Sequence, residues 1–277
     1  MRIAMKTVIG IDVGGSATKI VGFKGGVMLE PMVVKANDPL TSAYGAFGKF
    51  LAENSMGIED IERIMTTGVG STFLPDRIYG LPTVHLEEFD CIGRGGLYLT
   101  KLGKAIVVSM GTGTAMVKCD GTEFTYLGGT GVGGGTLTGL SKLIVGMEHI
   151  DNIAELASEG DLAKVDLQVG GITKKALSGL AAEVTAANFG NVDDTATKAD
   201  LAFGTVNLVF ETIGMISVFC ARFTQIEDIV LTGALSTMPQ AKPLFAKFSR
   251  IFGKNFIIPE YSRFGTVIGA ALSSAKD

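Results

Sequence analysis

The sequence predicts an α/β protein made of two similar halves that face each other across a cleft. Three observations lead there. At 277 residues the chain can hold two domains, each large enough to bury its own core. Its apolar residues fall in many short runs separated by turn signals, as in a globular α/β protein. A strand running into a Gly/Thr-rich hairpin occurs twice, at Asp12-Val-Gly-Gly-Ser-Ala-Thr-Lys19 and at Ser109-Met-Gly-Thr-Gly-Thr114.

The first half reads as strands over Val8 to Val13, Lys19 to Phe23 and Val27 to Lys35, with helical spacing after Pro39. Short strands follow at Ile64 to Thr67 and Thr83 to Leu86, then a helix over Glu88 to Leu102. The pattern restarts at Ala105 with an apolar strand into a glycine turn, a strand at Ala115 to Cys119, a turn at Asp120-Gly121 and a strand at Glu123 to Leu127. A glycine-rich run, Gly128 to Gly135, leads into helices, including a long one within 194 to 224. A strand at Asp228 to Leu231 ends in Thr232-Gly233, and a helix from Gly265 to Ser274 closes the chain. The repeat places the domain boundary near residue 104, giving domains 1–104 and 105–277.

Composition removes several function classes. A formal charge of -4 with no concentrated run of Lys and Arg argues against a nucleic-acid footprint. Cys91, Cys119 and Cys220 are far apart, with no CxxC, so zinc and iron–sulfur sites have little support and reduced thiols are expected. No secretory signal is visible after Met1, and the expected location is the cytoplasm. The stretch from Leu201 to Ala221 is apolar enough for a membrane check. Asn207 and Glu211 fall in its middle, and a central charge costs roughly 2.5–3.5 kcal/mol in a bilayer, so a buried core helix is expected. Its apolar surface exceeds what one face needs, which suggests a homodimer.

The glycine hairpins carry the chemistry. Glycines let the backbone approach an anion closely and turn several N–H groups into one concave nest. Two such hairpins face to face would grip a polyphosphate. Asp12, at the end of the first strand, is placed to hold Mg²⁺ through water, since that metal takes one or two carboxylates plus substrate phosphates. The end of the third glycine run, at Gly133 to Gly135, is expected to open a helix whose N-terminus faces a phosphate or the nucleoside. No Gly-Lys-Ser/Thr follows, so it is not a P-loop, and the dinucleotide fingerprint spacing is missing too. Transfer to an alcohol needs a carboxylate near the incoming hydroxyl. Glu87, Glu88 and Asp90 all qualify by position, and a helix start at Glu88 would keep that side chain ionised. His85 and His149 stand in no nucleophile setting and read as structural.

The order IGIDVGGSATK, LEEFD, VVSMGTGT, GGTGVGGGT, TAANFG, IVLTG and GTVIGAAL resembles the type II pantothenate kinases over nearly the whole chain. That resemblance implies two ribonuclease-H-like (actin-like ATPase) domains around a nucleotide cleft. It also implies ATP and Mg²⁺ as cofactors, and phosphorylation of pantothenate to 4'-phosphopantothenate, the first step towards coenzyme A. It implies that Asp12, Gly14, Gly15, Ser16, Thr18 and Lys19 form the first phosphate loop, with Asp12 the metal contact. Thr112 and Gly113 then lie in the second loop, and Gly134, Gly135, Thr136, Leu137 and Thr138 line the nucleotide with Gly233 and Ala234. It singles out Glu88 as the base.

Three positions depart from the family pattern. Tyr126 stands where the resemblance implies an Arg that contacts pantothenate, Ala234 where a Ser can follow the glycine, and Ile150 where a Tyr can lie by the nucleotide. Two other readings of the same residues stay open: a kinase for a related pantoyl or pantetheine compound, and a non-catalytic regulator that binds nucleotide or an acyl-coenzyme A. A dehydratase-activating ATPase with an iron–sulfur cluster and a sugar kinase or repressor of the same fold are disfavoured by the scattered cysteines and by the lack of a DNA-binding extension.

Overall fold

A computed structural model describes residues 5–35, 38–173 and 181–273. Met1 and Ser274, the ends of two expected segments, lie outside them. In chain order the first half runs β1 (Thr7–Val13), β2 (Thr18–Lys24), β3 (Val27–Met28), β4 (Met32–Val34), α1 (Pro39–Glu53), β5 (Ile61–Thr67), β6 (Arg77–Ile78), β7 (Leu81–His85) and α2 (Glu88–Thr100). The second half runs β8 (Lys104–Met110), β9 (Thr114–Asp120), β10 (Glu123–Thr130), α3 (Gly134–Val145), α4 (Ile150–Ala157), β11 (Leu167–Gln168), α5 (Val169–Ile172) and β12 (Thr185–Ala187). It ends with α6 (Lys198–Thr224), β13 (Asp228–Thr232), α7 (Ala241–Phe252), β14 (Asn255–Ile257) and α8 (Gly265–Leu272).

The expected strand over Val27 to Lys35 is broken in two. Pro31 has no N–H to give a ladder, so β3 pairs with the Phe23–Lys24 end of β2, and the chain pairs again with Thr18–Ile20 only at β4.

The repeat read in the sequence is a repeat in topology. The first sheet has the order β3-β2-β1-β5-β7-β6, with β4 also on β2, and the second has β10-β9-β8-β13-β14. In each, an antiparallel hairpin is followed by a strand added parallel to its first member. The register puts Asp12 beside Thr67 in one half and Ser109 beside Thr232 in the other. Each partner strand then ends in a glycine with positive φ, Gly68 at 87° and Gly233 at 91°, followed by one 3₁₀ turn. This is the doubled ribonuclease-H-like architecture of the actin-like ATPases.

Each half has its own core, around Phe47 and Phe50 in the first and around Leu137, Phe210 and Phe245 in the second. Two helices tie the halves together. α2 leaves the first half and packs on β8, β9 and β10, while α8 leaves the second and packs on β1, β2 and β5. They cross at glycines. A Cβ on Gly95 would sit 1.8 Å from the Gly265 carbonyl oxygen, and one on Gly269 would sit 1.9 Å from that of Cys91.

α6 begins at a Thr197–Asp200 capping box and runs through the second core. By length and composition it could cross a membrane, but 61% of its most apolar stretch is buried inside the protein, which fits the core helix expected. Its central polar residues are used: Asn207 donates to Asp166 at 2.7 Å, and Glu211 accepts from Thr185 and Asn188. This pins the Thr-Ala-Ala-Asn-Phe-Gly segment to the helix.

Candidate active site

A cleft of about 1140 Å³ opens between the two halves. Both glycine hairpins reach it, Gly14 to Ala17 from the β1–β2 turn and Gly111 to Thr114 from the β8–β9 turn. Their equivalence in topology explains why they meet: each is the tip of the first hairpin of its sheet.

Asp12, the penultimate residue of β1, lines the cleft, and its side chain is 6% exposed. The Lys19 ammonium donates to its Oδ2 at 2.8 Å. Gly68 closes the other flank, where a Cβ would lie 2.6 Å from Asp12 Oδ1. A side chain at Gly68 would therefore displace the carboxylate as well as strain its own backbone. One buried carboxylate at the cleft fits a magnesium ion that takes its remaining ligands from phosphates and water. Among the described residues no cluster of three or more His, Cys, Asp or Glu forms a closed metal cage.

Of the three carboxylates left open by spacing, Glu88 alone lines the cleft, while Glu87 and Asp90 are exposed. Glu88 is the first residue of α2, as expected, but the helix end does not govern its ionisation. Burial pushes its pKa up, the neighbouring Asp12 charge pushes it further, and Lys19 opposes both. A carboxyl held above its ordinary value is a better proton acceptor at neutral pH.

Tyr126, at 47% exposed, lines the same cleft. Its ring stacks on Phe89, with centroids 3.9 Å apart and planes 11° apart. Phe89 follows Glu88 in the chain, so the stack holds Tyr126 beside Glu88 at the cleft.

The predicted binding residues separate into two groups. Asp12, Gly14, Gly15, Ser16, Lys19, Thr112, Gly113, Thr138, Gly233 and Ala234 all line the cleft, as does Ile150. Thr18, Gly134, Gly135, Thr136 and Leu137 do not. Thr18 is buried and accepts from the Ser42 hydroxyl at 2.6 Å. Leu137 belongs to the second core. α3 does start at Gly134, but its first N–H groups do not face the cleft. Those of Gly134 and Gly135 donate to the Gly111 and Thr112 carbonyls at 2.8 and 2.9 Å, bracing the second hairpin from behind. The glycine run thus supports the loop instead of presenting a helix end to an anion.

Sequence reasoning missed Lys35, His149, Arg263 and Thr266, all of which line the cleft. His149, expected from the sequence to be structural, precedes α4 and lines the cavity. His85 does find structural partners, with its Nδ1 3.1 Å from the Thr66 hydroxyl. The signal for Gly68 was available, because Thr67-Gly68 ends β5 as Thr232-Gly233 ends β13. Nothing local marks Arg263.

A family model described as Fumble matches residues 102–270. Type II pantothenate kinase of Bacillus cereus (strain G9842) is 29% identical over 98% of this chain and 100% of its own length. The enzyme of the same name from Oceanobacillus iheyensis is 30% identical, covering 96% of this chain and 99% of its own. Among solved structures, the activator of the 2-hydroxyisocaproyl-CoA dehydratase from Clostridium difficile, with bound ADPNP, superposes with a TM-score of 0.68. It covers 96% of this chain and 93% of its own at 15% identity, a likeness of fold alone.

Proposed function

The chain belongs to the Fumble family, and from that premise we propose that it is an ATP-dependent kinase that phosphorylates the primary hydroxyl of pantothenate, with Glu88 as the base. The observation that carries the site assignment is the meeting of Asp12, Lys19 and Glu88 with both glycine hairpins at one cleft.

Glu88 accepts the proton of the acceptor hydroxyl as that oxygen bonds to the γ-phosphorus of ATP and the bond to the ADP oxygen breaks. The Gly14 and Gly111 N–H groups close their own turns, donating to the Ala17 and Gly113 carbonyls, which leaves those of Gly15, Ser16, Thr112 and Gly113 for the phosphate chain, with Lys19 within reach of it after releasing Asp12. Asp12 would be the protein residue that holds Mg²⁺, and the ion would supply charge neutralisation on the phosphates. Tyr126, backed by the Phe89 ring, forms the wall against which the acceptor lies and offers an uncharged hydroxyl as donor. We take 1–104 and 105–277 as the two domains, joined through the α2–α8 crossing, with the cleft closing between them.

Two chains are proposed to meet as a homodimer over α6, where Phe219 and Phe223 are 57% and 87% exposed while the other apolar side chains of the helix are buried or half-buried. The enzyme is placed in the cytoplasm, where the buried thiols of Cys91 and Cys119 stay reduced and the product feeds coenzyme A synthesis.

A coupled ADP-release assay with ATP and Mg²⁺, comparing pantothenate, pantetheine and pantoate and identifying the product by mass, tests the reading. Turnover on pantothenate supports it. Turnover on another acceptor alone would make Tyr126 a specificity switch, and ATP binding without turnover on any acceptor would favour a regulator.

A further inference from the structure

The cleft contains a cation that the phosphoryl-transfer scheme above does not use. Arg263 lies in the short 3₁₀ turn Ser262–Phe264, between β14 and α8, and lines the cavity. Its Nε is buried and finds no acceptor, and the side chain makes no hydrogen bond or ion pair among the described residues. The other cations at the cleft differ. Lys19 is neutralised by Asp12 at 2.8 Å, and Lys35 is exposed to water. A buried guanidinium nitrogen without a partner costs free energy, and at Arg263, unlike Arg94 whose Nε is also unpaired, the side chain lines a cleft where a ligand oxygen could recover it.

The backbone around Arg263 is fixed to the nucleotide side of the cleft. The Gly233 N–H donates to the Ser262 carbonyl at 2.9 Å, and the Ser236 hydroxyl donates to that of Ser262 at 2.8 Å. Gly233 in turn packs against the backbone of Met110, where a Cβ would lie 2.5 Å from the carbonyl oxygen, just before the second glycine hairpin. Gly265 packs on Thr232, where its Cβ would lie 3.0 Å from the methyl carbon. The turn that carries Arg263 is therefore mounted against Thr232–Ala234, which in turn lies against the start of the Gly111–Thr114 hairpin.

We infer that Arg263 is a binding residue for the phosphate chain of the nucleotide, donating through its planar guanidinium to phosphate oxygens. Its fork of donors matches a phosphate better than an ammonium does, and it adds a positive charge to a cleft also lined by Asp12, Glu88, Glu148 and Asp151. The inference rests on the nucleotide reading of the cleft, and its test separates the two.

The test is calorimetric titration, with Mg²⁺ present, of the wild-type protein, Arg263→Gln and Arg263→Lys with the imido analogue of ATP, with adenosine and with pantothenate. Thermal melting first checks that each variant is folded. Expected is a roughly 10- to 100-fold weaker Kd for the imido analogue in Arg263→Gln, with Arg263→Lys recovering part of the loss. Adenosine binding should be unchanged, an outcome that general distortion of the pocket would not give. Equal weakening for adenosine and the analogue would overturn the assignment, as would weakening confined to pantothenate, which would move Arg263 to the acceptor's carboxylate. An unaltered analogue Kd in a folded Arg263→Gln would also overturn it while leaving the kinase reading intact. A wild-type protein that binds no analogue at all would overturn both.

Discussion

The Lys19 ammonium stands 2.8 Å from the Asp12 carboxylate, with both side chains mostly buried at the tip of the first hairpin. In the proposed function each group serves the phosphate chemistry, and in the structure each satisfies the other. Removing one leaves the other desolvated and unpaired. Asp12→Asn and Lys19→Met should each be less stable than their effects in the double variant suggest. A coupling energy on the order of 1 kcal/mol in urea unfolding is expected; additive effects would show that the pair is not formed in solution.

Glu88 should titrate above the ordinary glutamate value of 4.5, because burial and Asp12 both favour its protonated form. Only the ionised form accepts a proton, so the acid limb of kcat/KM should lie above pH 4.5, with activity falling as pH drops through it. The stability consequence has the opposite direction. A raised folded pKa gives stability that is present below the unfolded value and lost as pH rises through the folded one. The ionised carboxylate is thus a cost at neutral pH. Glu88→Gln should raise Tm at pH 7, and the gain should shrink towards pH 4 in a melting series.

Tyr126 and Phe89 stack at 3.9 Å beside the base. Tyr126→Ala should raise KM for the acceptor about 10-fold, a loss of about 1.4 kcal/mol, while KM for ATP is unchanged. Tyr126→Phe should keep the stack and lose only what the hydroxyl contributes. Steady-state kinetics with each substrate varied in turn would separate these effects, and a rise in the ATP KM alone would remove Tyr126 from the acceptor wall.

The α2–α8 crossing leaves no room for a side chain. A Cβ at Gly269 would meet a backbone carbonyl 1.9 Å away, which no rotamer change relieves. Gly269→Ala should cost about 3 kcal/mol in chemical denaturation, at the upper end for overpacking, because two helices must separate.

If two chains meet over α6, replacing Phe219 and Phe223 together with Asp should leave the fold intact and halve the mass measured by light scattering. Both rings are exposed in the single chain, so their loss costs the core little. A monomeric wild-type protein would end the dimer proposal.

Much of this was legible in one sequence because the chain repeats itself. Two apolar strands each running into a Gly/Thr hairpin gave the doubled fold, and the hairpins had to face each other for either to have a use. What escaped was whatever depends on packing across the halves. Gly134 and Gly135 look like an anion-binding helix start, yet their N–H groups are taken by Gly111 and Thr112, sequence-distant carbonyls that no local pattern reveals. Thr18 belongs to the hairpin but points at Ser42, because alternation along β2 turns it into the first core. Arg263 has an unremarkable neighbourhood in sequence and reaches the cleft only because the α8 entry lies against the Gly233 turn. The Val27–Lys35 strand was read through Pro31, where the missing donor interrupts the ladder.

The most direct test is the turnover of Glu88→Ala on pantothenate at saturating ATP and Mg²⁺, alongside its affinity for the imido analogue of ATP. The account predicts a fall of about 10²–10⁴ in kcat with the nucleotide affinity retained. Turnover equal to that of the wild type would contradict it, since no other carboxylate of the Glu-Glu-Phe-Asp segment lines the cleft.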